Sequence, residues 1–263
     1  MTDTLRLTHV GGPTLLIQLG GWNLLVDPTF DPPGRRYGFA LGTSSVKLAG
    51  PAVPLEDLPP IDAVLLSHDH HADNLDDAGR RLLPQVPRVV STAAAARRLR
   101  MPSVTGLKPW SATELAHTGR PTLRVTATPC RHGPPLSRPV VGEVVGFVIE
   151  PADKSSGALW ITGDTVTIPA LAEVPRRFDV DTMVMHLGRV RFGLTGPLRY
   201  SMDGHDAVEL LRTVRPRRAV PVHYEGWSHF SEPVSDLRRA VDGAEQQLRE
   251  RVVWLSPGVP TPV

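Results

Sequence analysis

The sequence predicts a single α/β domain, and two patterns support this fold class. Short apolar runs at 5–10, 14–19 and 22–26 are separated by glycine-rich turns, which indicates strands that follow one another directly. From residue 63 onwards, strand-like apolar runs alternate with helical patterns such as those at 203–214 and 233–250, and a last strand is predicted at 251–255. Because strands that alternate with helices are typical of α/β proteins, we expect sheets packed against helices.

The composition indicates one globular domain over residues 1–263. Hydrophobic residues make up 41% and charged residues 21% of the chain, which supplies a substantial core and argues against disorder. The net charge is only +2 and no long run of like charges occurs, so nucleic acid is not expected as the main partner. The weak basic bias favours a small-molecule substrate that could be anionic.

The sequence also carries expectations about location and covalent chemistry. Its first residues, Met-Thr-Asp-Thr-Leu-Arg, lack the long apolar segment of a signal peptide. No apolar run approaches the ~20 residues that span a bilayer. We therefore expect a cytoplasmic protein without a transmembrane segment. The single cysteine, Cys130, excludes an intramolecular disulfide, and no pattern in the sequence indicates the oligomeric state.

The least regular part of the chain is the proline-rich segment 29–60, which contains Arg35, Arg36 and Tyr37. A loop of this length in a compact domain is usually functional. We predict that it forms a flap over a site.

Histidine or aspartate follows five of the predicted strands at the point where each strand ends. These residues are His68, His132, Asp164, His186 and His223. Strand ends and the loops that follow them carry the chemistry of α/β folds, so we expect these side chains to converge.

The densest polar cluster is Ser67-His68-Asp69-His70-His71-Ala72-Asp73-Asn74, directly after the apolar run 63–66. Imidazole and carboxylate ligands together suit zinc, with manganese or iron as alternatives. The competing interpretation, a solvated polar turn, does not explain three histidines and two aspartates within six residues. The sequence therefore predicts a metal site here.

These residues resemble the metallo-β-lactamase superfamily, whose signature is His-x-His-x-Asp-His after a buried strand, followed by a His, a bridging Asp and a last His on later strand ends. His9 and Asp27-Pro28 near the start also look like this superfamily. The pattern is most similar to the L-ascorbate-6-phosphate-lactonase-like branch, which includes phospholipase-D-like members, and it spans about residues 5–230. The resemblance implies a four-layer αββα sandwich and the metal ligands His68, His70, Asp73, His132, Asp164 and His223.

One departure from the signature concerns the second metal. Two residues, His71 and Ala72, stand between His70 and Asp73 where the superfamily has one, and Asn74 stands where a histidine is expected. The missing ligand could come from His71, from Asn74 or from no residue. A neutral amide donates less charge than an imidazole, so a site completed by Asn74 would bind its cation more weakly. We expect one or two divalent cations.

Further roles are assigned by position. His186 could act as a proton donor or be a hydrogen-bonded core histidine, and Asp73 could orient the attacking water. Arg35, Tyr37 and Arg191 lie in loops and are candidates to bind an anionic substrate, because guanidinium groups grip phosphate and carboxylate. His229 follows His223 closely and is a further candidate to line the pocket.

The sequence thus predicts a metal-dependent hydrolase that uses a metal-bound hydroxide against a lactone, an ester or a phosphodiester. Two alternatives remain. The first is a non-catalytic or regulatory metal-binding protein with a degenerate second site, which Asn74 suggests. The second is a nuclease, although the chain has little room for an added RNA-gripping domain.

Overall fold

The computed structural model describes residues 5–154 and 156–263, so the first four residues, part of the segment considered for a signal peptide, lie outside the described range. The strands are β1 (Arg6–Gly11), β2 (Thr14–Leu19), β3 (Trp22–Val26), β4 (Arg36–Gly38), β5 (Ser44–Val46), β6 (Ala63–Leu65), β7 (Arg88–Thr92), β8 (Val104–Leu107), β9 (Ala112–Leu115), β10 (Leu123–Pro129), β11 (Val145–Pro151), β12 (Ala158–Ile161), β13 (Val180–His186), β14 (Arg218–Val222) and β15 (Thr261–Pro262). The α-helices are α1 (Asp77–Leu82), α2 (Ala93–Leu99), α3 (Arg138–Val141), α4 (Val174–Arg177), α5 (Gly204–Val214), α6 (Val234–Asp242) and α7 (Gln246–Arg249).

The strands form two large sheets and one small hairpin. The first sheet has the order β15-β1-β2-β3-β6-β7-β8, and the second has the order β14-β13-β12-β11-β10-β9. Strands β1, β2 and β3 pair antiparallel, as the glycine-rich turns between them predict. Strands β12, β13 and β14 pair parallel, so their carboxyl ends meet at one edge of the second sheet.

Three apolar clusters define a four-layer arrangement. The central cluster joins both sheets, with Leu24 and Leu65 from the first facing Phe147 from the second. A second cluster packs Trp160, on the outer face of the second sheet, against α5 and α6. A third packs Leu25, on the outer face of the first sheet, against the region of α1. The alternation of strand side chains therefore yields helices on the outer face of each sheet, and the predicted αββα sandwich is confirmed.

The C-terminal region differs from the sequence-based prediction in two respects. The helix predicted over 233–250 is broken into α6 and α7, because the chain turns at Gly243 and a new helix starts after Glu245. The strand predicted over 251–255 is reduced to a single bridge between Val252 and Ala219. Among the described residues, no helix is long and apolar enough to cross a bilayer.

The segment 29–60 contains the small β4–β5 hairpin, which the sequence did not predict. A buried ion pair attaches it to the rest of the fold, with Lys47 Nζ 2.9 Å from Asp76 Oδ2. The Asp76 carboxylate also accepts a hydrogen bond from the backbone N–H of Gly79 and so caps α1. The residues between the two strands of the hairpin, including Phe39, lie against the polar edge of the sandwich.

The strands of the second sheet leave no space for a side chain at Gly146. A Cβ at this position would collide with the carbonyl oxygens of Ile161 and Thr162 and with the hydroxyl of Thr128. Because two of these atoms are backbone, they cannot move without displacing β12, and we expect Gly146→Ala to lower the free energy of unfolding by about 3 kcal/mol. Urea unfolding would measure the change.

The matched control is Gly193→Ala, because no described residue other than its chain neighbours has an atom within 4 Å of the Cβ position there. That variant should change the free energy of unfolding by less than about 1 kcal/mol. Equal stability of the two variants would contradict the close packing at Gly146.

Candidate metal centre

A tight turn after β6 brings the first polar groups together. The backbone N–H of Ser67 donates to Asp27 Oδ1 at 2.7 Å, which fixes the start of the turn. The N–H groups of Asn74 and Leu75 both donate to the carbonyl oxygen of His71, at 3.2 Å and 2.9 Å. The chain therefore folds back on itself, and the imidazoles of His68 and His71 meet.

Three buried imidazoles form the first ligand group. His68 Nε2 lies 3.0 Å from His71 Nδ1, and His132 Nε2 lies 3.2 Å from the same atom. His132 comes from the loop after β10, so the group joins the two sheets. All three could share one cation.

Neighbouring oxygens orient these imidazoles. His68 Nδ1 is hydrogen-bonded with Ser67 Oγ at 2.9 Å, and His132 Nδ1 lies 2.7 Å from the carbonyl oxygen of Tyr200. With Nδ1 occupied in this way, each ring presents Nε2 to the group. Metal-binding histidines are typically held by such bonds from their second nitrogen.

Asp73, Asp164 and His223 form the second ligand group. His223 Nε2 lies 3.5 Å from Asp73 Oδ2 and 3.4 Å from Asp164 Oδ2. Asp164 is fully buried, and neither of its carboxylate oxygens accepts a hydrogen bond from any described residue. Asp73 comes from the turn after β6, whereas Asp164 and His223 follow the ends of β12 and β14.

Both groups fit a divalent cation. Ligand atoms about 2.0–2.2 Å from one cation stand roughly 3–3.5 Å from each other, and the nitrogen and oxygen atoms here are separated by comparable distances. A buried carboxylate without partners is costly, and a bound cation removes that cost at Asp164. The mixture of imidazole and carboxylate donors suits zinc, manganese or iron.

The electrostatics differ between the two groups. Burial and the neighbouring histidines hold the pKa values of His68 and His71 well below the usual value, which favours the neutral, ligating form. Burial alone would lower the pKa of His223, but Asp164 and Asp73 raise it to about 9. Burial would raise the pKa of Asp73, yet His229 and His223 hold it well below its usual range.

Two residues of the predicted signature lie outside these groups. The Nε2 atom of His70 contacts the carbonyl oxygen of Val141, at the end of α3. The amide nitrogen of Asn74 lies 3.2 Å from Asp27 Oδ2 and 3.4 Å from Ser67 Oγ. His71, named from the sequence as a substitute ligand, instead stands where His70 was expected.

His186 and Asp27 lie behind the second group. The His186 ring is fully buried, its centroid is 5.6 Å from that of His223, and its Nε2 is 3.7 Å from Asp27 Oδ2. Burial raises the pKa of Asp27, and His186 partly offsets this effect. His186 does not line the cleft above the centre, so its role as a proton donor stays a prediction.

His229 is brought directly against the second group. Its Nε2 lies 3.0 Å from Asp73 Oδ2, and the residue is only 4% exposed. Its ring stacks on Phe192, with 5.4 Å between ring centroids and 30° between ring planes. The sequence suggested His229 as a pocket residue on proximity to His223 alone.

The candidate anion-binding residues have partners elsewhere. Arg35 pairs with Asp77 and lies 3.7 Å from Asp31, and the hydroxyl of Tyr37 donates to Asp31 Oδ2 at 2.7 Å. Arg191 donates to the carbonyl oxygen of Gly196 at 3.3 Å. These contacts attach loops to one another, and none of the three residues lines the cleft above the metal groups.

A narrow cleft leads to the two groups, and His71, Asp73 and His132 form its floor. Its walls come from the hairpin, from α3 and from the loop after β13, and they are mainly apolar: Phe39, Leu41, Val140, Val141, Val190, Phe192 and Tyr200. The sequence did not indicate these wall residues, because isolated aromatic and aliphatic residues in loops have no periodic pattern to reveal them.

Two sheets covered by helices, with a buried histidine and carboxylate centre at one edge, define a metal-dependent hydrolase of the metallo-β-lactamase fold. Residues 22–224, well over half of the chain, match the family model described as a beta-lactamase superfamily domain. The chain belongs to this family. Its finer placement in the lactonase-like branch stays a prediction.

Relatives and solved structures agree with this assignment. The chain is 27% identical over 266 residues to a UPF0173 metal-dependent hydrolase from Anaeromyxobacter sp. (strain K), covering 97% of this chain and 85% of that protein. Its fold is similar to that of an isothiocyanate hydrolase from Delia radicum gut bacteria, with a TM-score of 0.81, 23% identity and coverage of 98% and 99% of the two chains. A possible metal-dependent hydrolase from Veillonella parvula DSM 2008 gives a TM-score of 0.82 at 19% identity, covering 99% of this chain and 100% of that chain.

Proposed function

We propose that this hydrolase uses a two-cation centre to add water to the electrophilic carbon of a small, uncharged substrate. The observation that carries the proposal is the apolar cleft directly above His71, Asp73 and His132. Ligand pockets take their specificity from such walls, and an apolar wall favours a substrate whose non-reacting part is hydrocarbon.

The side chains within this cleft, as distinct from the arginine-lined cavity on the other side of His132, support an uncharged substrate. No lysine or arginine is among the described residues that line the cleft, and Arg35 and Arg191 contact other parts of the protein. Apart from the cations of the centre itself, a phosphodiester would find no cationic side chain in this cleft to pair with its negative charge. A phosphodiester is therefore a weaker candidate than an ester, a lactone or another neutral electrophile.

The residues of the centre have separable tasks. His68, His71 and His132 would hold one cation, and Asp73, Asp164 and His223 would hold the other. When bound, the cations lower the pKa of water and stabilise negative charge that develops on the substrate. The buried oxygen Oδ1 of Asp73 makes no hydrogen bond to any described residue, so it could accept one from the attacking water and orient it. The apolar walls exclude competing water from the cleft.

An isothiocyanate is the first neutral substrate class to test. It is uncharged, carries an electrophilic carbon between nitrogen and sulfur, and is the substrate class named for a structural neighbour that matches nearly the whole chain. In its hydrolysis, the water oxygen forms a bond to the electrophilic carbon, and the double bond between this carbon and nitrogen breaks. Both water protons move to the nitrogen, which stays attached to the organic group. The products are an amine and carbonyl sulfide, so the reaction balances without an oxidant or reductant.

The proposal is tested with purified protein loaded separately with zinc, manganese or iron and assayed on benzyl isothiocyanate, phenyl acetate, a γ-lactone and bis(p-nitrophenyl) phosphate. We expect kcat/KM for at least one neutral substrate to exceed that for the phosphodiester at least ~100-fold, a difference of about 2.7 kcal/mol. Turnover of the phosphodiester alone would overturn the proposed substrate class. Bound metal without turnover of any substrate would favour a regulatory protein.

The preference for uncharged substrates should respond to a charge introduced at the cleft. Val140 lines the cleft and is 42% exposed, so Val140→Lys should fold. We expect kcat/KM for the neutral substrate to fall roughly 3-fold to 10-fold, because the new cation disrupts apolar contacts worth about 1 kcal/mol, while activity on the phosphodiester rises. Steady-state kinetics on both substrates would measure the two changes.

Val234→Lys is the matched control, since Val234 has the same exposure and lies at the start of α6, away from the cleft. It should leave both substrates unaffected. If Val140→Lys behaved like this control, the cleft would not be the route by which substrate reaches the centre.

A further inference from the structure

The second ligand group has one histidine fewer than the superfamily signature would give it, because Asn74 stands at that position. We propose that His229 is the missing ligand and that it completes this group with Asp73, Asp164 and His223. This inference rests on the two-cation centre of the proposed function.

His229 has the position and the free atoms that a ligand needs. Its Nε2 lies 3.0 Å from Asp73 Oδ2, the same separation as between His68 Nε2 and His71 Nδ1 in the first group. Yet neither ring nitrogen of His229 makes a hydrogen bond to any described residue. His229 Nε2 and the Asp73 carboxylate thus approach closely without a hydrogen bond of good geometry, and coordination of a shared cation would account for this approach.

The two histidines of one loop converge on a single carboxylate oxygen. His223 Nε2 and His229 Nε2 lie 3.5 Å and 3.0 Å from Asp73 Oδ2. The loop between them turns at Gly226, whose φ of 89° lies in the left-handed region that favours glycine. This turn returns the chain after β14, so that a residue outside the signature reaches the site.

Packing holds the His229 ring in this orientation. It packs against the aromatic rings of Phe39 and Phe192, with ring centroids 5.6 Å and 5.4 Å away, and against that of Phe230, at 4.7 Å. The backbone N–H of Arg191 donates to the His229 carbonyl oxygen at 3.1 Å. These contacts fix the ring before any cation binds, which reduces the entropy lost on coordination.

Asn74 is a poorer candidate for the same task. Its amide nitrogen contacts Asp27 and Ser67, and these contacts connect the turn after β6 to the end of β3. Its remaining oxygen is a neutral donor. With His229, the second group would consist of two imidazoles and two carboxylates, a set that suits zinc, manganese or iron.

The test is a titration of metal-free protein with Co²⁺ and with Zn²⁺. Binding is monitored by calorimetry and, for Co²⁺, also by visible absorption. We expect the unmodified protein to bind two equivalents. His229→Ala and His229→Gln should still bind the first equivalent of metal, but their affinity for the second should fall at least ~100-fold. This is the upper end of the loss in metal affinity that removal of an outer hydrogen-bond partner causes. The Gln variant preserves the packed volume in case the Ala variant does not fold.

His117→Ala is the matched control for adventitious binding, because His117 is exposed and belongs to neither ligand group; its ring contacts the Thr118 carbonyl and the Trp22 ring. It should bind two equivalents unchanged. Two equivalents of unchanged affinity in both His229 variants would overturn the inference while leaving the two-cation centre intact. Fewer than two equivalents in the unmodified protein would instead overturn the two-cation centre itself.

Discussion

Asp164→Ala should abolish both metal retention and turnover, lowering kcat/KM at least ~1000-fold, or about 4 kcal/mol of transition-state stabilisation. Asp164 is fully buried and its two oxygens have no hydrogen-bond partner among the described residues, an arrangement that the proposed cation would explain. Elemental analysis of the purified variant, together with kinetics on the best neutral substrate, would measure the two losses. His68→Ala should behave in the same way through the first group.

A measurement of the unfolding temperature would show whether the loss of metal and turnover in Asp164→Ala arises from the site or from unfolding of the variant. The metal-free form of Asp164→Ala should unfold at or above the temperature of the metal-free unmodified protein, because the variant lacks an unsatisfied buried carboxylate. The control is Asp181→Ala, which removes an exposed ion pair with Arg217 and should cost at most about 1 kcal/mol without loss of metal. Full metal occupancy in Asp164→Ala would refute the proposed centre.

Replacing His71 should be far more damaging than replacing His70. His71→Ala removes the imidazole that lies between His68 and His132, and we expect loss of the first cation and a fall in kcat/KM of at least ~1000-fold. His70→Ala removes only a contact with the Val141 carbonyl, so the metal content should stay near that of the unmodified protein. Metal content and kinetics of the pair would be compared directly.

The reverse outcome would restore the ligand assignment implied by the signature. If His70→Ala lost the cation and His71→Ala kept it, the two neighbouring imidazoles would exchange roles in the metal-bound protein. His70→Ala is also expected to raise KM a few-fold, because the Val141 carbonyl lies at the end of α3 and Val141 forms part of the cleft wall. That change would report on the cleft without involving the metal.

Much of the fold follows from short-range patterns in the chain. The strands β1, β2 and β3 were predicted because apolar runs and glycine turns are local signals, and the strand ends at His68, His132, Asp164, His186 and His223 were predicted in the same way. The hairpin β4–β5 was missed, because its strands are three residues long and one of its attachments is the distant ion pair of Lys47 with Asp76. The prediction of a single helix over 233–250 was also wrong, because α6 ends at Asp242 and the chain turns at Gly243 before α7 begins.

Amino-acid order alone specifies which chemical groups are available for the centre and at which strand ends they lie, because strand and turn signals are local. It does not specify which of two adjacent imidazoles points inward. That choice depends on the backbone bonds of Asn74 and Leu75 to the His71 carbonyl and on the contact of His70 with Val141, a residue far along the chain. Contacts between distant segments likewise place His229 beside Asp73 and surround the cleft with apolar rings. Side-chain direction in an irregular turn is therefore decided by tertiary packing.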